Sequence, residues 1–500
     1  MTDADIQLCP NPLVKFLNKP PADFTRNDLV KYIEKNGIEM VNFRYAAEDG
    51  KLKTLNFIIH SKKYLESILS SGERVDGSSL FSFIEAETSD LYVIPKYRTA
   101  FVNPFSSIPS LEMFCAFYNN QGKPLDSSPE YVLRKACHQF HSSTGFTFRA
   151  LAELEYYVNS RHDCRYPLID QKGYHQSRPF AKFEALRTDA LRLIAMTGGK
   201  IKYGHSEVGS FSTDTEDFEQ HEIEFLPTDP EEVANQVVLT KWLLRMLSHQ
   251  YGVEVSFAPK IVEGKAGSGM HIHMLLEKDG KNIMVENGGL SVDAKKVIAG
   301  VLDLADALTA FGNTVPTSYL RLVPHQEAPT SICWGDRNRS VLIRVPLGWV
   351  GASGMIRDVN AGAIAPDEDD PKQTVEFRAP DGSADIYHLV AGLLVAAQHG
   401  LTMDNSLELA DQLYVNPSST TGNDAGTGGK YKVLPGSCWE SARCLEEKRA
   451  YFEQSGVFPA GTIDYFIRRL QSYNDRNLSE KLFNNKEEIR KLVLKYLHCM

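Results

Sequence analysis

The run Ala266-Gly267-Ser268-Gly269-Met270-His271-Ile272-His273 constrains this chain most, because it sets two imidazoles on one face of a strand. Side chains alternate faces along a strand. His271 and His273 therefore share one side, and Ile272 and Met274 take the other. Gly267, Ser268 and Gly269 let the backbone leading into the strand approach another group closely. Four further segments repeat the pattern. In residues 151–158, Glu153 and Glu155 lie opposite Leu154 and Tyr156. In 221–226, Glu222 and Glu224 share a face, and in 375–378 Glu376 shares one with Arg378. In 340–345, Arg344 lies opposite Val341, Ile343 and Val345. One acidic strand face is only the wet side of an antiparallel sheet. Several strands with complementary faces predict a sheet whose polar side lines a cavity. Carboxylates with an imidazole suit hard divalent ions such as Mg²⁺ or Mn²⁺.

The arginines add a second constraint. No lysine occurs between Lys296 and Lys372, whereas Arg321, Arg337, Arg339, Arg344 and Arg357 all fall there. The planar guanidinium fork is suited to carboxylate and phosphate. Carboxylates for metals and arginines for anions together point to phosphoryl transfer, where positioning and charge neutralisation carry most of the catalysis. Gly426-Thr427-Gly428-Gly429-Lys430-Tyr431 lacks the spacing and the hydroxyl of a phosphate-binding Walker loop.

Five hundred residues allow two or three domains with ample core. A net charge of −10 argues against nucleic acid as the main partner. Eight cysteines without a Cys-x-x-Cys read as reduced thiols. The acidic start Thr2-Asp3-Ala4-Asp5 lacks a signal pattern, and no apolar run approaches the roughly 18 residues of a membrane span. These features predict a cytoplasmic protein with no membrane partner. Residues 1–22, with Pro10, Pro12, Pro20 and Pro21, read as an irregular arm. A helix is expected after Thr25, ending near Gly37, then a small sheet domain over 23–122 and a large domain over 123–500. Ser128-Pro129-Glu130 and Asp229-Pro230-Glu231 read as helix starts, with Gly145 and Gly252 as stops. Residues 416–430 read as a mobile loop. The tail Lys491-Leu492-Val493-Leu494-Lys495-Tyr496-Leu497 is apolar, and is expected to dock on another subunit or as a helix on its own domain.

Taken in order, the motifs resemble the glutamine synthetase family, bacterial type I group, over most of the chain. The resemblance rests on Asp76-Gly77-Ser78-Ser79, Ser89-Asp90-Leu91-Tyr92, Asn103-Pro104-Phe105, Glu153-Leu154-Glu155, Glu207, Gln220-His221-Glu222 and the Gly267–His273 run. It continues through residues 318–324, Glu327-Ala328-Pro329, Arg337-Asn338-Arg339-Ser340, Arg344 with Pro346, and Glu376-Phe377-Arg378-Ala379-Pro380-Asp381. It implies an α+β fold: a small β-grasp-like domain, then a catalytic domain with a curved antiparallel sheet lined by metal ligands and flanked by helices.

The resemblance also implies roles. One metal would be held by Glu155, Glu207 and Glu222, the other by Glu153, His271 and Glu376, within a set of two or three Mg²⁺ or Mn²⁺ ions. Arg339 and Arg344, with His273, would serve the nucleotide ATP. Arg321, Arg378 and the Gly267 backbone would grip an amino-acid substrate. Asp76, from a neighbouring subunit, would take a proton from ammonium, with Ser79 and Tyr174 nearby, and Glu327 would close as a flap. The implied reaction is glutamate plus ammonia to glutamine, in a homo-oligomer of two stacked hexamers. The alternatives are a glutamate–amine ligase of the same fold and a catalytically silent relative, which loss of metal ligands would mark. Several positions depart from the family pattern: Thr374 for an arginine at the nucleotide, Ala266 for an asparagine, His325-Gln326 before Glu327, and Asp385-Ile386. The acidic stretch from Ser212 to Glu219 lengthens the link between Glu207 and Glu222. Tyr414 is the candidate for the family's regulatory tyrosine.

Overall fold

A computed structural model describes residues 2–82, 84, 89–323, 328–348, 352–360, 362, 372–415, 431–478, 482 and 485–499. Glu327 with His325-Gln326, and the loop 416–430, lie outside the described residues.

Residues 2–22 are more ordered than the proline-rich sequence predicts. Thr2 and Asp5 form a capping box for the helix Asp3–Leu8. The Asn11 side chain accepts from the Leu13 amide at 2.9 Å and starts the helix Pro12–Leu17, with proline in its first turn. Ile6, Leu13 and Val14 enter the small domain's core. The prolines mark helix entry rather than irregular chain. The helix Arg26–Asn36 starts at a Thr25–Asp28 capping box and ends on Gly37, whose φ of 63° is left-handed.

The small domain's sheet contains β1 (Met40–Ala46), β2 (Leu52–Ile58), β3 (Glu73–Asp76), β4 (Asp90–Pro95), β5 (Phe101–Val102) and β6 (Ser110–Tyr118). Its order is β2-β1-β6-β4-β3, with β5 on β6. Only the β1–β6 pairing is parallel. The domain is tied to the rest through the helix Pro230–Tyr251. Arg44 lies over the Trp242 ring at 4.8 Å, and Lys96 pairs with Glu231 at 2.5 Å.

The large domain's sheet comprises β7 (Thr147–Arg161), β8 (Ile201–Ser212), β9 (Glu216–Phe225), β10 (Glu254–Ser256), β11 (Met270–Lys278) and β12 (Lys281–Asn282). A separate hairpin, β13 (Val285–Glu286) and β14 (Gly289–Leu290), follows. The sheet is completed by β15 (Trp334–Asp336), β16 (Ile343–Val345) and β17 (Val375–Phe377). Its main path is β15-β16-β17-β11-β7-β9-β8, with β10 on β7 and β12 on β11. All its pairs are antiparallel except β15–β16. The apolar face, including Leu154, Tyr156, Ile223, Ile272 and Phe377, is buried in the main core. Helices Pro129–Thr144, Pro230–Tyr251, Val292–Asp303 and Ile386–Thr402 contribute to the same core. The stretch from Ser212 to Glu219 forms the tip of the β8–β9 hairpin, with Asp217 and Glu219 buried. Among the described residues no single helix is long and apolar enough to cross a membrane.

The tail docks on its own chain. The helix Lys486–Lys495 buries Ile489 and Val493, and Leu497 packs beside β7 and β8 residues Tyr157 and Phe211. Leu494 stays 58% exposed.

Candidate active site

Strand register assembles the site. On β11, His271 faces Glu153 of β7, and His273 faces Glu376 of β17. Glu376 in turn faces Arg344 of β16. On the other side of β7, Glu153 faces Glu224 and Glu155 faces Glu222 of β9, which faces His205 of β8. Residues directly opposite in a ladder share a face. Every acid, imidazole and arginine in this row therefore projects from the polar side, away from the core.

Three ligand groups result, each with its donor atoms within 4.8 Å of one another: Glu153, His271 and Glu376; Glu155, Glu222 and His271; and His205, Glu207 and Glu222. The first is the set expected from the sequence. Glu207 groups with His205 and Glu222 rather than with Glu155. The register of β8 against β9 shifts between Ser206 and Ser210. Glu207 lies within that irregular part, two positions after His205, and its carboxylate accepts from the Val208 amide at 2.8 Å.

The imidazoles are held tightly. His271 Nδ1 lies 3.0 Å from Glu153 and 3.5 Å from Glu376. His273 Nε2 lies 2.9 Å from Glu153, and its Nδ1 is 2.8 Å from the Thr374 hydroxyl. Thr374, expected at the nucleotide, is buried and orients His273. Glu155 accepts from the Gly269 amide at 2.6 Å and from Gln220 Nε2 at 3.2 Å. His205 Nε2 lies 3.1 Å from Glu222.

The charges do not balance evenly. Burial pushes the Glu153 carboxyl up, but the neighbouring His273 and His271 hold it well below the usual carboxylate range. Burial and then the charges of Glu153, Glu155, Glu207 and Glu224 push Glu222 well above that range. A carboxyl pushed up by four neighbouring carboxylates marks a place that divalent cations would neutralise. An oxygen-rich donor set with one or two imidazoles fits Mg²⁺ or Mn²⁺.

A pocket adjoins the ligands, lined by Glu155, Lys260, Ala266, Gly267, His271, Arg321, Ala328 and Arg378. It thus brings together the three residues expected at the amino-acid substrate: Gly267, Arg321 and Arg378. Arg321 Nη1 donates to the Ala379 carbonyl at 2.8 Å. Arg378 Nε donates to Glu376 at 3.1 Å, and its Nη1 to the Arg339 carbonyl. Arg344 Nη1 donates to Glu376 at 2.9 Å. The Arg339 side chain is exposed on the loop before β16. Arg357 is exposed on the helix Ala352–Val359.

Asp76 and Ser79 lie at the end of β3 in the small domain, exposed. The hydroxyls of Ser79 and Ser78 donate to Asp76 at 2.6 and 2.7 Å and, with Ser89, hold its carboxyl well below the usual range. None of their described hydrogen bonds reaches the ligand cluster. Tyr174 is 51% exposed and stacks on His175 at 4.1 Å, and both rings contact His205. Tyr414 donates to Asp336 at 3.1 Å on the far side of β15 from β16.

Sequence reasoning missed His205, Tyr203 and Lys260. The first was within reach, since His205 and Glu207 are two apart in a strand, as His271 and His273 are. Lys260 lies in the irregular segment between β10 and β11, where no period marks a face.

The comparisons agree with this geometry. The family description "Glutamine synthetase, beta-Grasp domain" matches residues 37–120, and "Glutamine synthetase, catalytic domain" matches 126–477. The glutamine synthetase of Clostridium saccharobutylicum is 29% identical over 436 residues, covering 85% of this chain and 90% of its own. That of Pyrococcus furiosus is 30% identical over 412 residues, covering 82% and 85%. In fold, the chain superposes on Plasmodium falciparum glutamine synthetase with a TM-score of 0.74 at 20% identity, over 93% of this chain and 98% of that one. It also superposes on a structure titled apo GmaS, with a TM-score of 0.69 at 17% identity, over 92% and 99%. With both domain descriptions matched in order and the ligand row in register across five strands, the chain belongs to the glutamine synthetase family.

Proposed function

We propose that this protein is an ATP-dependent ligase that makes glutamine from glutamate and ammonia through a γ-glutamyl phosphate. The observation that carries the reading is the contiguity of the Gly267–Arg321–Arg378 pocket with the carboxylate and imidazole ligands, since Glu155 and His271 belong to both. Glu153, His271 and Glu376 would hold one divalent ion, and Glu155, Glu207 and Glu222, with His205, would hold the other. Such ions supply charge neutralisation at the phosphoryl oxygens and polarise the attacked carboxyl.

The residues do the rest. Arg321 and Arg378 grip the substrate carboxylate and aim its γ-carboxylate at the nucleotide. A γ-carboxylate oxygen attacks the γ-phosphorus of ATP, and the bond to the ADP oxygen breaks. Arg344 and Arg339 balance the charge on the transferring group. Asp76, from a neighbouring subunit, takes a proton from ammonium. The freed ammonia attacks the acyl carbon, phosphate leaves, and Glu327 accepts the remaining proton. A closed site keeps the acyl phosphate from water.

A second reading, a ligase joining glutamate to an organic amine, draws on one observation. Tyr174, His175 and Tyr203, the two tyrosines 51% and 45% exposed, surround His205 beside Glu207 and Glu222. Such a wall attracts an organic ammonium by cation–π contact. The test is ATP-dependent phosphate release with glutamate and a panel of amines that includes ammonium. Release that requires ammonium supports the first reading. Release with an organic amine alone selects the second, and none with any amine rejects both.

A further inference from the structure

One segment seats itself under two walls of the substrate pocket. Ile489 and Val493 of the helix Lys486–Lys495 form an apolar cluster against which Leu320 packs. Leu320 precedes Arg321 in the short helix Ser318–Arg321. Beyond that helix, Leu497 and Cys499 pack against Tyr157, Phe211, Ala258 and Ile261. The seat is specific as well as apolar. The Leu497 carbonyl accepts from the Ser256 hydroxyl at 2.6 Å, and the Cys499 carbonyl from Arg245 Nη2 at 3.3 Å. His498 Nε2 lies 2.8 Å from Glu254.

The residues that receive this segment are continuous with the pocket. Ala258 and Ile261 belong to the irregular stretch 257–269, which also carries Lys260, Ala266 and Gly267 of the pocket lining. That stretch has no strand ladder until Gly269; the Ser268 amide donates to the Pro259 carbonyl at 3.0 Å, and side chains supply further ties. The Tyr157 phenol donates to the Ala266 carbonyl at 2.9 Å. Gln171 accepts from the Ala266 amide at 2.9 Å, and Gln220 donates to the Gly267 carbonyl at 3.0 Å. Tyr157 therefore bonds the pocket wall and belongs to the apolar cluster on which the segment packs. Backbone outside a strand ladder keeps its shape through such bonds and through the packing of its apolar side chains. Its apolar underside matters correspondingly.

We infer that Leu497 and Cys499 are positioning residues for the amino-acid pocket, bracing the 257–269 wall so that Lys260, Ala266 and Gly267 face Arg321 and Arg378 at a fixed separation. The inference rests on the reading of that pocket as the glutamate site. The substrate is gripped between this wall and the two arginines, so loosening it acts on amino-acid binding and leaves the nucleotide alone.

The test uses the full chain with Mn²⁺ and three variants. Leu497→Asp puts a charge into the apolar seat, Leu497→Met conserves it, and Leu494→Asp alters an exposed neighbour in the same segment. Because small misplacements at a binding site cost heavily, Leu497→Asp should raise KM for glutamate about tenfold while KM for ATP stays within about twofold. Amide hydrogen exchange in 257–269 should rise in that variant and stay unchanged in β7. Leu497→Met and Leu494→Asp should match the unaltered protein. An equal change in both KM values, or unchanged exchange in 257–269, overturns the inference. If the unaltered protein does not turn over glutamate, the function reading fails, and the exchange measurement alone decides whether the segment braces the wall.

Discussion

Glu376 accepts from Arg344 and Arg378 at 2.9 and 3.1 Å and lies 3.5 Å from His271. Replacing it by alanine removes a ligand and leaves two buried or half-buried guanidinium groups without their carboxylate. Glu376→Ala should abolish measurable turnover and weaken Mn²⁺ binding by more than the roughly 10–100-fold that loss of an outer-shell partner costs. Titration of Mn²⁺ by electron paramagnetic resonance checks this, and unaltered affinity would remove Glu376 from the ligand set. Asp217 carries a stability prediction. Burial raises its pKa, but the Lys182 ammonium at 2.6 Å, with Ser212, the Asp163 amide and His162, lowers it from 3.8 to about 2. A carboxylate depressed on folding adds stability above its unfolded pKa and loses it as pH falls through its folded one. The stability gap between the unaltered protein and Asp217→Asn should therefore be full above about pH 4 and shrink toward pH 2. Urea unfolding across that range is the check; a gap independent of pH would deny the ion pair its role. At this scale the sequence was readable where polar and apolar residues alternate cleanly, as in β7, β9, β11 and β17, but not in β8, where His205 and Tyr203 were missed. Thr374 was not readable either, because its partner His273 lies on another strand, 101 positions away.

Between the helices Val292–Asp303 and Ile386–Thr402, Gly300 and Gly400 face each other at the crossing. A Cβ on Gly300 would run into the Ala396 carbonyl and the Gly400 backbone, and one on Gly400 into the Lys296 carbonyl. Backbone carbonyls cannot swing away as a side chain can, so the helices must separate. Gly300→Ala should cost about 1–3 kcal/mol, the range for overpacking, despite alanine's better helix propensity. A lowered urea midpoint at unchanged slope checks it, and a stabilised variant would place the crossing farther apart than the structure does. Caps and stops were legible at this scale. Thr25 to Gly37, Pro129 to Gly145 and Pro230 to Gly252 all bound helices by local chemistry. The helices in 2–22 escaped notice because proline reads as a breaker until Asn11 is seen capping the turn that Pro12 opens.

The whole molecule separates Asp76 from the ligand cluster. Asp76 sits in the small domain, and the ligands sit on the large sheet. Under the proposed mechanism the two meet between neighbouring subunits. Asp76→Ala and Arg339→Ala variants, each inactive alone, should then regain about a quarter of full activity when mixed and allowed to exchange subunits, since that share of random interfaces pairs an intact loop with an intact site. Phosphate release on the mixture is the measurement. No recovery in mixtures shown by sedimentation to have exchanged would mean that the loop serves its own chain.

The chain's own order of residues determined which side chains share a face, because a strand's period of two follows from backbone geometry alone. That period placed Glu153 with Glu155, Glu222 with Glu224, and His271 with His273 before any strand was paired. It also determined the chemistry of the row, since carboxylates with imidazole and arginine admit few other partners. Which ligand meets which was decided only by tertiary structure. The pairing of β11 with both β7 and β17 sets His271 between Glu153 and Glu376. The pairing of β8 with β9 sets His205 and Glu207 beside Glu222. The seat of Leu497 beneath 257–269 likewise depends on contacts spanning more than two hundred residues, as the 241 between Ser256 and Leu497 show. No local pattern encodes such contacts. They form only once the apolar faces have packed and fixed where each strand and loop lies.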